Sequence, residues 1–296
     1  MATAGDPELV LDAKALLGEG AIWNAALQRL HWIDIVGRRV FTYDPATGEN
    51  RAADVGQMVG TVVPRAGGGL MLALHEGFAG FDPDTGRVTL LPRPPEHDPA
   101  IARFNDGKCD PAGRFWAGTM ALVKGPNPPG KLYRLDADGS VRVMLRDVGT
   151  SNGIAWTLDR RTMYYIDTPL RRVDAFDYDD ATGAIANRRT VITIPPDLGR
   201  PDGSTLDAEG MLWIAMYNGW SVTRWNPRTG ERLQTIRLPV ARVTSCAFGG
   251  PDLDTLYLTS ARTGLTDEQL AAQPLAGGVF QVKPGVRGVR ASAYQG

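Results

Sequence analysis

Six copies of one short apolar segment recur along the chain: LHWID (30–34), LMLAL (70–74), RFWAGT (114–119), TMYYID (162–167), MLWIAM (211–216) and TLYLTS (255–260). Their starts are separated by 40, 44, 48, 49 and 44 residues. A unit of that length cannot bury its own apolar face, so it must stack on copies of itself. Most copies are followed by a further strand and a turn, as in VFTYDPATG, GFDPDTG, LYRLDADG, AFDYDDATG and RWNPRTG, with VFQVKPG (279–285) as a weaker sixth. Pro, Asp and Gly at those points carry turn chemistry. Helical pairs can repeat at a similar length, but these segments are aromatic or β-branched, and the chain holds 35 Gly and 21 Pro. The expectation is an all-β chain, a six-bladed β-propeller of four-stranded antiparallel blades, forming one domain over 1–296. One or two helical turns are expected only in TDEQLAAQ (266–273).

The repeat register also marks a site. Upstream of each signature strand lies another short segment, read here as the innermost strand of its blade. Glu19 precedes Leu30 by 11 positions, Asn105 precedes Phe115 by 10, Asn152 precedes Met163 by 11, and Asp202 precedes Leu212 by 10. In the other two blades the corresponding places hold Gln57–Met58 and Thr244–Ser245. Equivalent positions on symmetric blades form a ring around the axis, so four oxygen-bearing side chains are expected at one end of one channel. Two close carboxylates repel unless a proton or cation lies between them. Hard oxygen donors favour Ca²⁺, Mg²⁺ or Mn²⁺ over structural zinc. Taken singly, Asn-Gly and Asp-Gly are turn formers; their shared register favours a metal ring. In RFNDGK, Arg103 can offer a fork of donors to substrate oxygens, or simply be a solvated arginine. ALVKGPNPPG (121–130) interrupts the third blade as a lid or an idle loop. Tyr217, Asn218 and Trp220 are assigned to the opposite rim, without a role.

Composition narrows the function. The net charge of −1 gives no general attraction to nucleic acid or anionic membrane. Two cysteines, Cys109 and Cys246, make no disulfide framework, and three histidines, His31, His75 and His97, show no zinc spacing. The first twenty residues lack the pattern of a signal peptide and no stretch is apolar enough to span a bilayer, so a cytoplasmic protein is expected.

LGEGAIW, RFNDGKCDPAGRFWAGTM, SNGIAW, PDGSTLDAEGMLWIA, FGGPDLDTLYLTSAR and QPLAGGVF, spread over 17–280, strongly resemble the gluconolactonase/regucalcin (senescence marker protein) family. That resemblance implies a propeller that opens sugar lactones with one divalent cation. It implies that Glu19 of LGEG, Asn152 of SNG and Asp202 of PDG bind the metal, with Asp202 also the general base. It implies further that Arg103 and Asn105 of RFNDG hold the sugar, with Asn105 close to the metal. One departure stands out: where relatives have acidic residues after GTM, this chain has Ala121, Leu122 and Val123. The identity of the sugar is therefore open.

The expected reaction is hydrolysis of an aldonolactone, its carbonyl polarised by the metal and its attacking water deprotonated by Asp202. Ca²⁺ is the expected ion, with Mn²⁺, Zn²⁺ and Fe²⁺ as alternatives, and the expected state is a monomer or weak oligomer. Three rival readings follow. Gly149-Thr150-Ser151-Asn152-Gly153 matches a GxSxG nucleophile elbow, but its context reads strand–turn–strand and no histidine follows it. A propeller can also act as a calcium-binding regulator without turnover. Related propellers open organophosphates, which would be a side activity of the same metal. LDADGS (135–140) lacks the distal Glu of a calcium loop and reads as a turn.

Overall fold

The structure, a computed structural model, describes residues 5–122 and 129–296. Six four-stranded antiparallel sheets stand around one axis as the blades of a six-bladed propeller. In blade 1 the order from the axis outwards is Gly18–Asn24, Arg29–Asp34, Arg39–Tyr43 and Asn50–Asp54. Blades 2 to 5 repeat that order from inner strands Val59–Pro64, Ala102–Cys109, Ser151–Trp156 and Arg200–Leu206. Blade 6 contributes Val243–Gly249, Thr255–Ser260 and Val279–Val282, and its outermost strand is Glu8–Leu11 from the chain's beginning. Leu9 pairs with Phe280, so backbone hydrogen bonds from opposite ends of the chain close the ring.

The six signature segments form the second strand of each blade. They are buried on both faces because each is packed between neighbouring blades: every residue of Leu70–Leu74 is buried, and Trp32, Trp116 and Trp213 are fully enclosed. Outer strands face water, as in Asn50–Asp54. Two turns add a buried polar clasp. In CDPAGRFW the Asp110 carboxylate accepts from the Trp116 indole, Arg114 and Tyr178; in LDAEGMLW Asp207 accepts from Trp213 and Arg224. Each Asp is fully buried with its acceptor positions occupied, as a buried charge requires. The expected helix spans Asp267–Ala272, where Thr266 and Gln269 form a reciprocal capping box. LDADGS is a turn; Arg134 holds the Asp136 carboxylate through two hydrogen bonds.

All six inner strands share one irregularity. Against its partner, each carries one extra residue: between Glu19 and Ile22, Val59 and Thr61, Phe104 and Gly107, Asn152 and Ile154, Pro201 and Ser204, and Val243 and Cys246. Such a bulge twists the strand and re-aims its side chains. Here it does so at one level of the axis, six times.

Candidate functional site

The bulges place Glu19, Asn105, Asn152 and Asp202 in one ring, each nine-tenths or more buried. Asn-Gly and Asp-Gly are not turns here but lie within strands. A Cβ on Gly153 would come within 2.5 Å of the Ser204 hydroxyl, and one on Gly203 within 2.9 Å of Ser245 Cα. The glycines let neighbouring inner strands approach closely at the axis. Register corrects one expectation: the ring position of blade 2 is Gly60, not Gln57–Met58, since Val59 pairs with Leu74 and Thr61 with Ala73. A Cβ there would lie 2.5 Å from the Phe104 and Asn105 backbone. In blade 6, as expected, the position is Thr244, but its hydroxyl is engaged by the Gly18 carbonyl and Thr259 and so clasps the last blade to the first.

A hydrogen-bond chain crosses three blades. Arg103 Nη1 donates to Asn105 Oδ1 (2.8 Å), Asn105 Nδ2 donates to Asn152 Oδ1 (3.0 Å) and the Ser151 carbonyl (2.8 Å), and Asn152 Nδ2 donates to Thr168 Oγ1 (2.7 Å). Thr168 then donates to the Pro201 carbonyl (2.8 Å), next to Asp202. The chain fixes both amides, leaving one Asn152 Oδ1 lone pair for a further partner.

The two ring carboxylates are differently placed. Glu19 accepts only its neighbour's Gly20 N–H, at 3.2 Å, and neither Glu19 nor Asp202 forms an ion pair among the described residues. Burial, reinforced by the charge of Asp106, pushes Glu19 up to about 8. Burial and then repulsion from Glu19 and Asp106 hold Asp202 well above the usual carboxylate range. Burial lowers Arg103 to about 10, against the pull of Glu19 and Asp202, so it stays cationic at neutral pH. Two buried carboxylates whose proton affinity is raised, beside an amide oxygen, suit a hard divalent cation. Among the described residues no three His, Cys, Asp or Glu side chains converge as a metal cluster; the donor set mixes carboxylate with amide.

Two candidate site residues escaped the sequence reading, and a third was misplaced. Asp106 sits in the bulge beside Asn105, and its charge reaches Glu19 and Asp202. Strict alternation would turn it away from its neighbour's face, so only the bulge reveals it. Thr168 follows the second strand of blade 4 and carries no motif. Tyr217 is a correction: it pairs with Arg200, and its phenol is raised chiefly by burial with the charges of Asp202 and Glu19 adding, so it stands on the ring's own rim rather than the opposite one.

GxSxG does not mark a nucleophile. Ser151 opens the inner strand of blade 4, fully buried, with no hydrogen-bond partner for its hydroxyl; His97 packs instead against Phe104 and Tyr133. Ser151→Ala is expected to keep turnover within about threefold, and a serine-directed phosphonylating reagent to leave activity intact. Inactivation with stoichiometric labelling of Ser151 would reinstate it. After GTM, Ala121 pairs with Ala102 next to Arg103, and Leu122 is exposed. Val123 and most of the 121–130 loop, and with them its role as a lid, lie outside the described residues.

A family model described as the SMP-30/Gluconolactonase/LRE-like region matches residues 17–262. The chain belongs to the SMP-30/gluconolactonase/LRE-like family. Within it, the chain is 43% identical to regucalcin of Danio rerio over 291 residues, 98% of each chain. It is also similar to a solved luciferin-regenerating enzyme, at 34% identity and a TM-score of 0.90, over 98% of this chain and 99% of that one. A calcium-binding protein, regucalcin, from Agrobacterium tumefaciens matches over the full length of both chains at 28% identity and a TM-score of 0.92. No helix among the described residues is long and apolar enough to cross a membrane.

Proposed function

We propose that the chain hydrolyses a sugar lactone to its aldonic acid, using one divalent cation, most simply Ca²⁺, held by Glu19, Asn152 and Asp202. One observation carries this reading: two buried carboxylates without an ion pair meet at the axis beside an amide oxygen with a free lone pair. Membership of a family whose description names gluconolactonase, and a solved relative named a calcium-binding protein, support it.

A bound divalent cation would polarise the lactone carbonyl and neutralise charge that develops on its oxygen. Asp202 in its ionised form accepts a proton from the attacking water. Arg103, held by its hydrogen bond to Asn105 Oδ1, presents its remaining N–H donors at the mouth to sugar hydroxyls, so binding energy goes into positioning. Asn105 holds Arg103 on one side and Asn152 on the other. The ring alcohol leaves as the tetrahedral carbon collapses. Lactones are activated esters, so an acceleration at the low end of the enzymatic range, about 8 kcal/mol, suffices.

The test is proton release from a panel of glucono-, galactono-, xylono- and arabinono-lactones, followed with a pH indicator. Stripped by chelation, the protein is expected to fall to the uncatalysed rate; Ca²⁺, Mn²⁺, Zn²⁺ or Fe²⁺ is expected to restore turnover. Tight Ca²⁺ binding with no acceleration by any metal would instead make the ring a calcium-binding regulatory site.

A further inference from the structure

Four residues beyond the ring on their inner strands, Trp23 follows Glu19, Trp156 follows Asn152 and Leu206 follows Asp202. At strand rise this level lies about 13 Å further along the axis. A separate cavity of about 250 Å³ opens there, bounded on one side by residues 289–292 near the chain's end.

Its chemistry is unlike the ring's. Lys108, Arg160 and Arg290 line it, and no Asp or Glu does. Lys108 Nζ is already committed to the Ser204 carbonyl across the channel (2.6 Å), and Arg160 is shared with Asp180 (3.3 Å). Arg290 makes no hydrogen bond or ion pair among the described residues. Two further donors are idle. Trp23 is 2% exposed and Trp156 8%, both line the cavity, and neither indole N–H has an acceptor. Buried N–H groups without partners are uncommon in folded proteins and call for an explanation. The remaining wall is mixed: Ile22, Leu206 and Phe248 form an apolar part, and Thr157, Thr205 and Ser292 add hydroxyls.

We propose that this end of the channel is a second binding site, for a small organic carboxylate. Arg290 grips the carboxylate with its planar fork, the Trp23 and Trp156 N–H groups complete its acceptor positions, and the apolar part of the wall receives the organic body. A bare inorganic anion would leave that wall unused, and a cation would meet three positive side chains.

The protein's seven tryptophans give the readout. Indole N–H signals of the ¹⁵N-labelled full chain are followed by NMR during titration with benzoate, and in parallel with inorganic phosphate and with chloride at matched ionic strength. Trp23→Phe and Trp156→Phe assign two of the signals. Those two are expected to move saturably with benzoate. Arg290→Ala, a change at an exposed side chain, is expected to weaken benzoate about tenfold, whereas Asp202→Asn leaves its affinity unchanged. Phosphate and chloride are expected to produce no saturable shift of these signals. Failure of both indole signals to saturate overturns the proposal, as does an unchanged affinity in Arg290→Ala. A response to phosphate as tight as that to benzoate makes the site one for inorganic anions. Loss of benzoate binding in Asp202→Asn places the ligand at the ring. Either result removes the organic-carboxylate assignment.

Discussion

Asp202→Asn is expected to lower lactone hydrolysis by at least about 10³-fold, the upper range for losing a general base. The substitution also removes a carboxylate from the metal's donor set. The amide keeps the size and planarity of the side chain, so packing around Gly203 and Thr168 is undisturbed. It cannot accept a proton from water, and it offers the cation a neutral oxygen. Stability of the metal-stripped protein should change little. Burial and repulsion from Glu19 and Asp106 favour the uncharged acid at that site, and an amide is likewise uncharged. The measurements are kcat with saturating metal, Ca²⁺ affinity by calorimetry, and Tm after chelation. A variant that binds metal as before yet retains normal kcat would remove Asp202 from the chemistry.

Glu19→Gln is expected to act on stability in a pH-dependent way. Burial raises this carboxyl from 4.5 to about 8. Below pH 4.5 the side chain is protonated in both folded and unfolded chains and costs nothing. As pH rises towards 8 the unfolded chain ionises first, so the folded, metal-stripped protein loses stability, on the order of 4 kcal/mol across that window. Above about 8 the loss levels off. The amide cannot ionise and removes this slope. After chelation, Glu19→Gln should therefore melt higher than the parent at pH 8 and nearly with it at pH 4.5. Added Ca²⁺ should reverse the order at pH 8, because the parent gains a ligand-linked increment and the variant lacks a donor. Parallel melting curves at both pH values, with and without Ca²⁺, would show that Glu19 is neither strained by burial nor a ligand.

Much of this was legible from repetition. Equal spacing of LHWID, LMLAL and their copies led to six blades, because each blade needs the same buried second strand. The same spacing brought Glu19, Asn105, Asn152 and Asp202 to one level, and family membership agrees with the reading of those strings. Reading failed where bulges intervene. One inserted residue shifts register, so blade 2 presents Gly60 rather than Gln57–Met58, and Asp106 joins a site that strict alternation would deny it. Tyr217 was misplaced because a rim is a property of paired strands: only its partnership with Arg200 shows which end it occupies. The GxSxG string was rightly set aside in the sequence, since a motif carries chemistry only in its own structural context, and Ser151 opens a buried inner strand.

By itself, the sequence determined the number of blades, their strands, and the oxygen-rich character of the axis, since periodicity and residue type are local properties that survive any folding. Tertiary structure decided how the ring closes, with Glu8–Leu11 completing the last blade. It also decided which donors remain unpaired at each end of the channel, because burial, repulsion and hydrogen-bond satisfaction depend on residues far apart in the chain. Glu19 and Asp202 stand 183 positions apart in the sequence, and their mutual repulsion exists only once the blades have met.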